Sequence, residues 1–120
     1  MRWSTIALVS MLVMAGALAQ AAPKEGVMIK KGFLTGNTYR DLSPLGKRGY
    51  VMGFSDGVFI APLLSAPKAE ILWLEQCMVG MTDVQIVAII DKWLADNPAQ
   101  WHDQMNILTY SALRGSCPRN

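Results

Sequence analysis

Few side chains in this sequence have the type and spacing for chemistry. The only histidine, His102, stands beside Asp103, and Ser111 and Ser116 follow it. A histidine base with a serine nucleophile and an orienting carboxylate would cleave an acyl bond, but a triad is a matter of geometry, not of sequence distance. Read as helix, His102 and Asp103 are neighbours that do not face each other, so His102 reads as a surface or interface residue. Asp91 and Asp96 would need to meet for acid–base work, and at helical spacing they read as a solvated face. One histidine and two cysteines are too few for a zinc site. The glycines at 46, 49, 53 and 57 lack both the phosphate-loop lysine and the dinucleotide spacing. Trp73, Trp93 and Trp101 read as core. Asp56, set among glycines and apolar residues, is either a turn or exposed residue or a carboxylate bonded to a neighbouring helix end. This census assigns no catalytic residue, no metal ligand and no cofactor, and the chain is expected not to be an enzyme.

The remaining reactive pair is Cys77 and Cys117, and its reading depends on where the chain resides. Met1-Arg2 is followed by an apolar run from Ile6 to Leu18 and then by Ala19-Gln20-Ala21-Ala22-Pro23. A charged start, an apolar stretch and small residues at alternate positions predict a cleavable signal peptide. The run is shorter than the roughly 20 apolar residues that span a bilayer. Residues 1–21 are therefore expected to be removed, with cleavage after Ala19 or Ala21, leaving no membrane anchor and a single domain over 22–120. The eleven Lys and Arg residues, less Arg2, leave ten against nine acidic ones. A nearly neutral domain with no basic patch does not point to nucleic acid. In an oxidising compartment two cysteines are expected to pair. Closing a loop of some 40 residues stabilises by roughly 4 kcal/mol on the chain-entropy account.

The elements that position these residues are mostly helical in pattern. Residues 23–34 read as an extended or loose arm. A short helix is expected near Thr35 to Leu42, ended by Ser43-Pro44, which can start the next element. Residues 44–64 are ambiguous. Tyr50 to Phe54 and Val58 to Ile60 around Ser55-Asp56-Gly57 read as a β-hairpin. The same stretch read as a helix puts Gly49, Gly53 and Gly57 on one face, which needs another helix packed closely against it, since each glycine costs about 1 kcal/mol in a helix interior. Lys68 to Gln76 reads as a short helix or extended segment leading to Cys77. Thr82 and Gln85 form a capping box. Ile86, Ile89, Ile90, Trp93 and Leu94 then follow at helical spacing. Asn97-Pro98 stops that helix, and Asn97 is expected to cap the last one, with Trp101, Met105, Leu108 and Ala112 along one face. Cys77 to Cys117 thus reads as a helical hairpin closed by a disulfide.

With these motifs in hand, the chain resembles the Rap/Tai immunity protein family, periplasmic partners of type VI secretion amidase effectors. The matching residues are Gly49-Tyr50-Val51-Met52-Gly53, Asp56-Gly57, Cys77, Met81-Thr82, Gln85, Trp93-Leu94, Asn97-Pro98, Ala112-Leu113 and Cys117, in that order, over about Phe33 to Cys117. It departs from the family in lacking further cysteines around the first two helices. It has Gly115-Ser116 where a Phe-Pro pair commonly precedes the last cysteine, and Met78-Val79 where a Leu-Pro pair commonly follows the earlier one.

The resemblance implies an all-α single-domain bundle of about four helices with one disulfide. It implies a helix, not a hairpin, around Gly49 to Gly57, packed closely on the Cys77–Cys117 stretch, and pairing of the two cysteines. It further implies a periplasmic, non-enzymatic protein that binds an amidase effector toxin and blocks its cleft, and a homodimer. Trp101 and His102 are the positions offered as partner contacts. The alternative reading is an exported structural or envelope-maintenance protein with no toxin partner.

Overall fold

A computed structural model describes residue 26 and residues 29–117; the expected signal peptide lies outside them. The described residues form five helices and no sheet, so the chain is all-α. Thr35 starts α1 (Gly36–Arg40). Its hydroxyl accepts the Thr38 N–H while the Thr38 hydroxyl accepts its own N–H, a capping box the sequence reading passed over. Ser43 caps α2 (Pro44–Ile60) by accepting the Gly46 N–H, with Pro44 in the first turn as expected. A 3-10 turn, Ala61–Leu64, leads to α3 (Lys68–Met78), which contains Cys77. Gly80, at φ 88°, makes the left-handed step that allows the chain to turn back. The Thr82–Gln85 capping box is formed reciprocally at the start of α4 (Asp83–Asp96).

The hairpin alternative for residues 44–64 is excluded, because α2 runs through the Ser55-Asp56-Gly57 turn signal. In a helix, Val51 is buried and Tyr50, Phe54 and Val58 pack beside it on the core. That continuous inner face outweighs the local turn preference. The expected close packing of the glycine face is wrong, however. A Cβ placed on Gly49, Gly53 or Gly57 would meet nothing within 4 Å, and all three are exposed. The helix turns Tyr50, Val51, Phe54 and Val58 to the core and its glycines to the outside, since burial rewards apolar area.

The last helix also differs from expectation. Asn97 ends α4 by donating its side-chain amide to the Trp93 carbonyl, but Pro98 opens only a 3-10 turn, Pro98–Gln100. The last helix, α5 (Met105–Ser116), starts seven residues later than the Pro98 start expected. The N-terminal arm is the physical reason. Thr35 forms an antiparallel bridge with Gln104, the Met105 N–H donates to the Leu34 carbonyl, and Gly36 and Asn37 donate to the carbonyls of Asp103 and Trp101. Backbone groups of residues 101–105 are thereby satisfied outside a helix. The approach is tight. A Cβ on Gly36 would stand 2.9 Å from Trp101 Cα, the Trp101 carbonyl oxygen and Leu108 Cδ1. Gly36→Ala is therefore expected to destabilise by about 1–3 kcal/mol through overpacking against backbone, measured by urea denaturation; unchanged stability would show that the arm does not dock here.

The core is one cluster. Tyr39, Leu74, Ile90, Leu94, Met105, Leu108 and Leu113 are almost fully enclosed. Each buried aliphatic side chain contributes about 1.5–3 kcal/mol. The three described tryptophans pack against this cluster, as expected. Cys77 and Cys117 form the disulfide, with Cα atoms 5.8 Å apart across 40 residues, tying α3 to the end of α5. Trp73 Nε1 donates to the Cys117 carbonyl at 3.1 Å and holds the same junction.

Candidate interaction surface

Burying the inner face of α2 leaves an apolar outer face. Leu45, Met52, Phe59 and Ile60 are exposed along it, and Leu63 and Leu64 follow in the 3-10 turn at 82% and 74% exposure. The turn is held by its own backbone: the Ser65 N–H donates to the Pro62 carbonyl and the Ala66 N–H to the Ala61 carbonyl, with Ser65 left-handed at φ 69°. Pro62 and Pro67 fix φ on either side. Leu72, on α3, is exposed as well. The result is a braced turn that presents two adjacent leucines to solvent. Apolar side chains gathered in this way mark surfaces for association. The sequence reading treated Leu63 and Leu64 as the tail of an ambiguous run and missed them. Their signal is a Leu-Leu pair bracketed by prolines.

The residues singled out from sequence are placed differently. Tyr50 points inward, stacked near Phe54 with ring centroids 6.5 Å apart, and its hydroxyl meets Thr109 Oγ1 at 3.4 Å. Burial raises the Tyr50 phenol, and the Thr109 bond partly offsets this. Gly49, Gly53, Asp56 and Gly57 lie on the outer side. Among the described residues Asp56 bonds to no helix end, so the exposed alternative holds for it. Trp101 is half-buried. Its indole donates to the Leu94 carbonyl at 2.7 Å, and Arg40 lies 3.3 Å over its ring. His102 is exposed. It sits in a turn, not a helix, so its Nε2 comes within 3.4 Å of Asp103 Oδ1, a contact the helical reading had dismissed. Neither Ser111 nor Ser116 hydrogen-bonds to His102 among the described residues.

Asp91 keeps 41% of its side chain exposed, but it is not merely a solvated residue. Lys47 donates to both its oxygens at 2.9 and 3.1 Å, tying α2 to α4, whereas Asp96 is exposed and pairs with Lys92. The Lys47–Asp91 pair borders a cleft of about 300 Å³ with Arg40, Asp41, Leu94 and Ala95. Beneath lies the enclosed Tyr39, whose phenol is pushed well above its ordinary value by burial first and by the Asp91 charge second. Across the described residues, no three His, Cys, Asp or Glu side chains gather as a metal site.

Arg48 Nε donates to Asp83 Oδ2 at 2.6 Å, joining α2 to the first turn of α4. That hydrogen bond, above all, lowers the Asp83 carboxyl below its ordinary value of 3.8. A lowered folded-state value means the pair stabilises above the ordinary value, and this contribution is lost as pH falls through the lowered one. Arg48→Ala is expected to return the Asp83 titration towards 3.8 in a carboxyl-resolved NMR titration; an unmoved midpoint would show that the ion pair is not formed in solution.

The chain matches no protein-family model, no curated protein and no solved structure.

Proposed function

We propose that this is a periplasmic immunity protein that binds and inhibits a type VI secretion peptidoglycan amidase effector, without chemistry of its own. The observation that carries the reading is the braced Ala61–Leu64 turn, with Leu63 and Leu64 projecting. A protein that blocks an enzyme cleft needs a convex apolar projection that is ordered before binding, because preorganisation removes the entropy loss of fixing a loop. The turn meets both conditions, and the disulfide between α3 and the end of α5 stiffens the scaffold behind it. The partner class comes from the resemblance of the Gly49–Gly57, Cys77–Gln85 and Trp93–Cys117 motifs to the Rap/Tai family. The apolar run from Ile6 to Leu18 supports export to the compartment where such an amidase acts.

The test is co-purification with the amidase encoded beside this chain's gene, or delivered by a neighbouring strain, followed by a peptidoglycan-cleavage assay. Binding with loss of cleavage is the expected result. Failure to bind any such amidase would remove the immunity role and leave the envelope-maintenance alternative.

A further inference from the structure

Three of the four methionines among the described residues line one cavity of about 320 Å³. Met52 comes from α2, Met78 ends α3, and Met81 lies in the turn before α4. Met105, the fourth, is 1% exposed in the core, where a flexible thioether serves as a gap-filler. Met52, at 51% exposure, is not placed for that role.

The turn that carries two of the three is fixed at both ends. Val79 (φ −59°, ψ 126°) and Gly80 (φ 88°) make a type II turn, and the Met81 N–H donates to the Met78 carbonyl at 3.0 Å. Cys77, just before it, is bridged to Cys117, and the Thr82–Gln85 capping box follows at once. Met78 and Met81 therefore stand at the cavity on backbone that is ordered in advance, and Met52 joins them from α2. Asp56, one helical turn beyond Met52, lines the same cavity.

The oxygen donors around this cavity are not equivalent. Ser55 donates its hydroxyl to the Val51 carbonyl, and the Asp83 carboxylate is held by Arg48. Asp56 makes no ion pair or hydrogen bond among the described residues. The donor set is thus three neutral thioethers and one available carboxylate. Such a set suits neither Ca²⁺, which takes roughly six to eight oxygens, nor Zn²⁺, which is held by thiolate, imidazole and carboxylate. Thioethers are soft donors and select monovalent copper, whose single charge one carboxylate balances. The thiols, which would compete for it, are closed in the disulfide.

We propose that Met52, Met78 and Met81 form a binding site for the soft monovalent cation Cu(I), with Asp56 as the balancing charge. The site uses neither Leu63 nor Leu64, and it does not depend on the amidase reading.

The test uses Ag(I), which shares the ligand preference of Cu(I), needs no reductant and so leaves the disulfide closed. The protein is purified after expression of the full chain, and its methionine methyl signals are followed by NMR as Ag(I) is added. One equivalent is expected to shift the Met52, Met78 and Met81 signals together and to leave Met105 in place. Met52→Leu and Met81→Leu keep the apolar volume and should each weaken binding about tenfold or more, since even residues behind the ligands of a metal site have effects of that size. Met105→Leu should leave affinity unchanged. Cu(I) held reduced by ascorbate should displace Ag(I), whereas Zn²⁺ should not. No shift at a full equivalent of Ag(I), shifts confined to methionines outside this cavity, displacement by Zn²⁺, or wild-type affinity in both Met52→Leu and Met81→Leu would each overturn the proposal. Circular dichroism of the variants separates loss of a ligand from loss of the fold, and the wild-type methyl shifts decide the matter without them.

Discussion

Replacing Cys77 and Cys117 together by alanine is expected to lower the unfolding free energy by about 4 kcal/mol, the entropy regained by freeing a 40-residue loop. In a domain of this size such a loss corresponds to a fall in Tm of roughly 15–30 °C. The effect is large because the bridge joins elements that little else joins so directly. Cys77 is in α3 and Cys117 follows α5, and between them the chain runs through α4 and the docking site of the N-terminal arm. Trp73, whose indole holds the Cys117 carbonyl, would remain, so the variant should keep its helical circular dichroism at low temperature. Thermal melts of the variant, and of the wild type with and without reductant, provide the measurement. A Tm unchanged by reduction would show that the Trp73 contacts with Cys117 and Tyr110 fix this junction without the bridge.

The second large effect concerns the projecting turn. Leu63→Asp combined with Leu64→Asp is expected to weaken effector binding about 100-fold or more, the loss typical of truncating two central apolar anchors. Both side chains are largely in water in the free protein, so their replacement leaves the core untouched and stability within about 0.5 kcal/mol of wild type. This separation of binding from stability distinguishes a contact surface from scaffold. Isothermal titration calorimetry and a thermal melt on the same preparation read both. Undiminished affinity would move the contact surface elsewhere on the molecule.

The fold was legible where the signal is periodic and locally capped. Ile86, Ile90 and Leu94 step along α4 behind the Thr82–Gln85 box, and the structure buries all three. Ser43-Pro44 marked the start of α2 for the same reason. Legibility failed where partners distant in sequence decide. Residues 101–104 carry a helical pattern, yet the arm around Leu34 to Asn37 takes their backbone hydrogen bonds and delays α5. Lys47 and Asp91 are 44 residues apart, so no local pattern could announce their pairing. The glycines at 49, 53 and 57 were rightly placed on one face, but one strand of sequence does not say which face of a helix is covered. The candidate surface was the least legible part. Trp101 drew notice as an exposed loop position and proved to be half-buried, with its indole donating to the Leu94 carbonyl. Leu63 and Leu64 drew none, because adjacent leucines ordinarily read as core, and only their exposure in the folded chain reveals them.

The most direct measurement of the central claim is a titration of purified amidase effector with this protein while peptidoglycan cleavage is followed. The account predicts that cleavage falls linearly and stops at one chain per amidase, and that the Leu63→Asp, Leu64→Asp variant leaves cleavage running at the same ratio. Full cleavage in the presence of excess wild-type protein would contradict it.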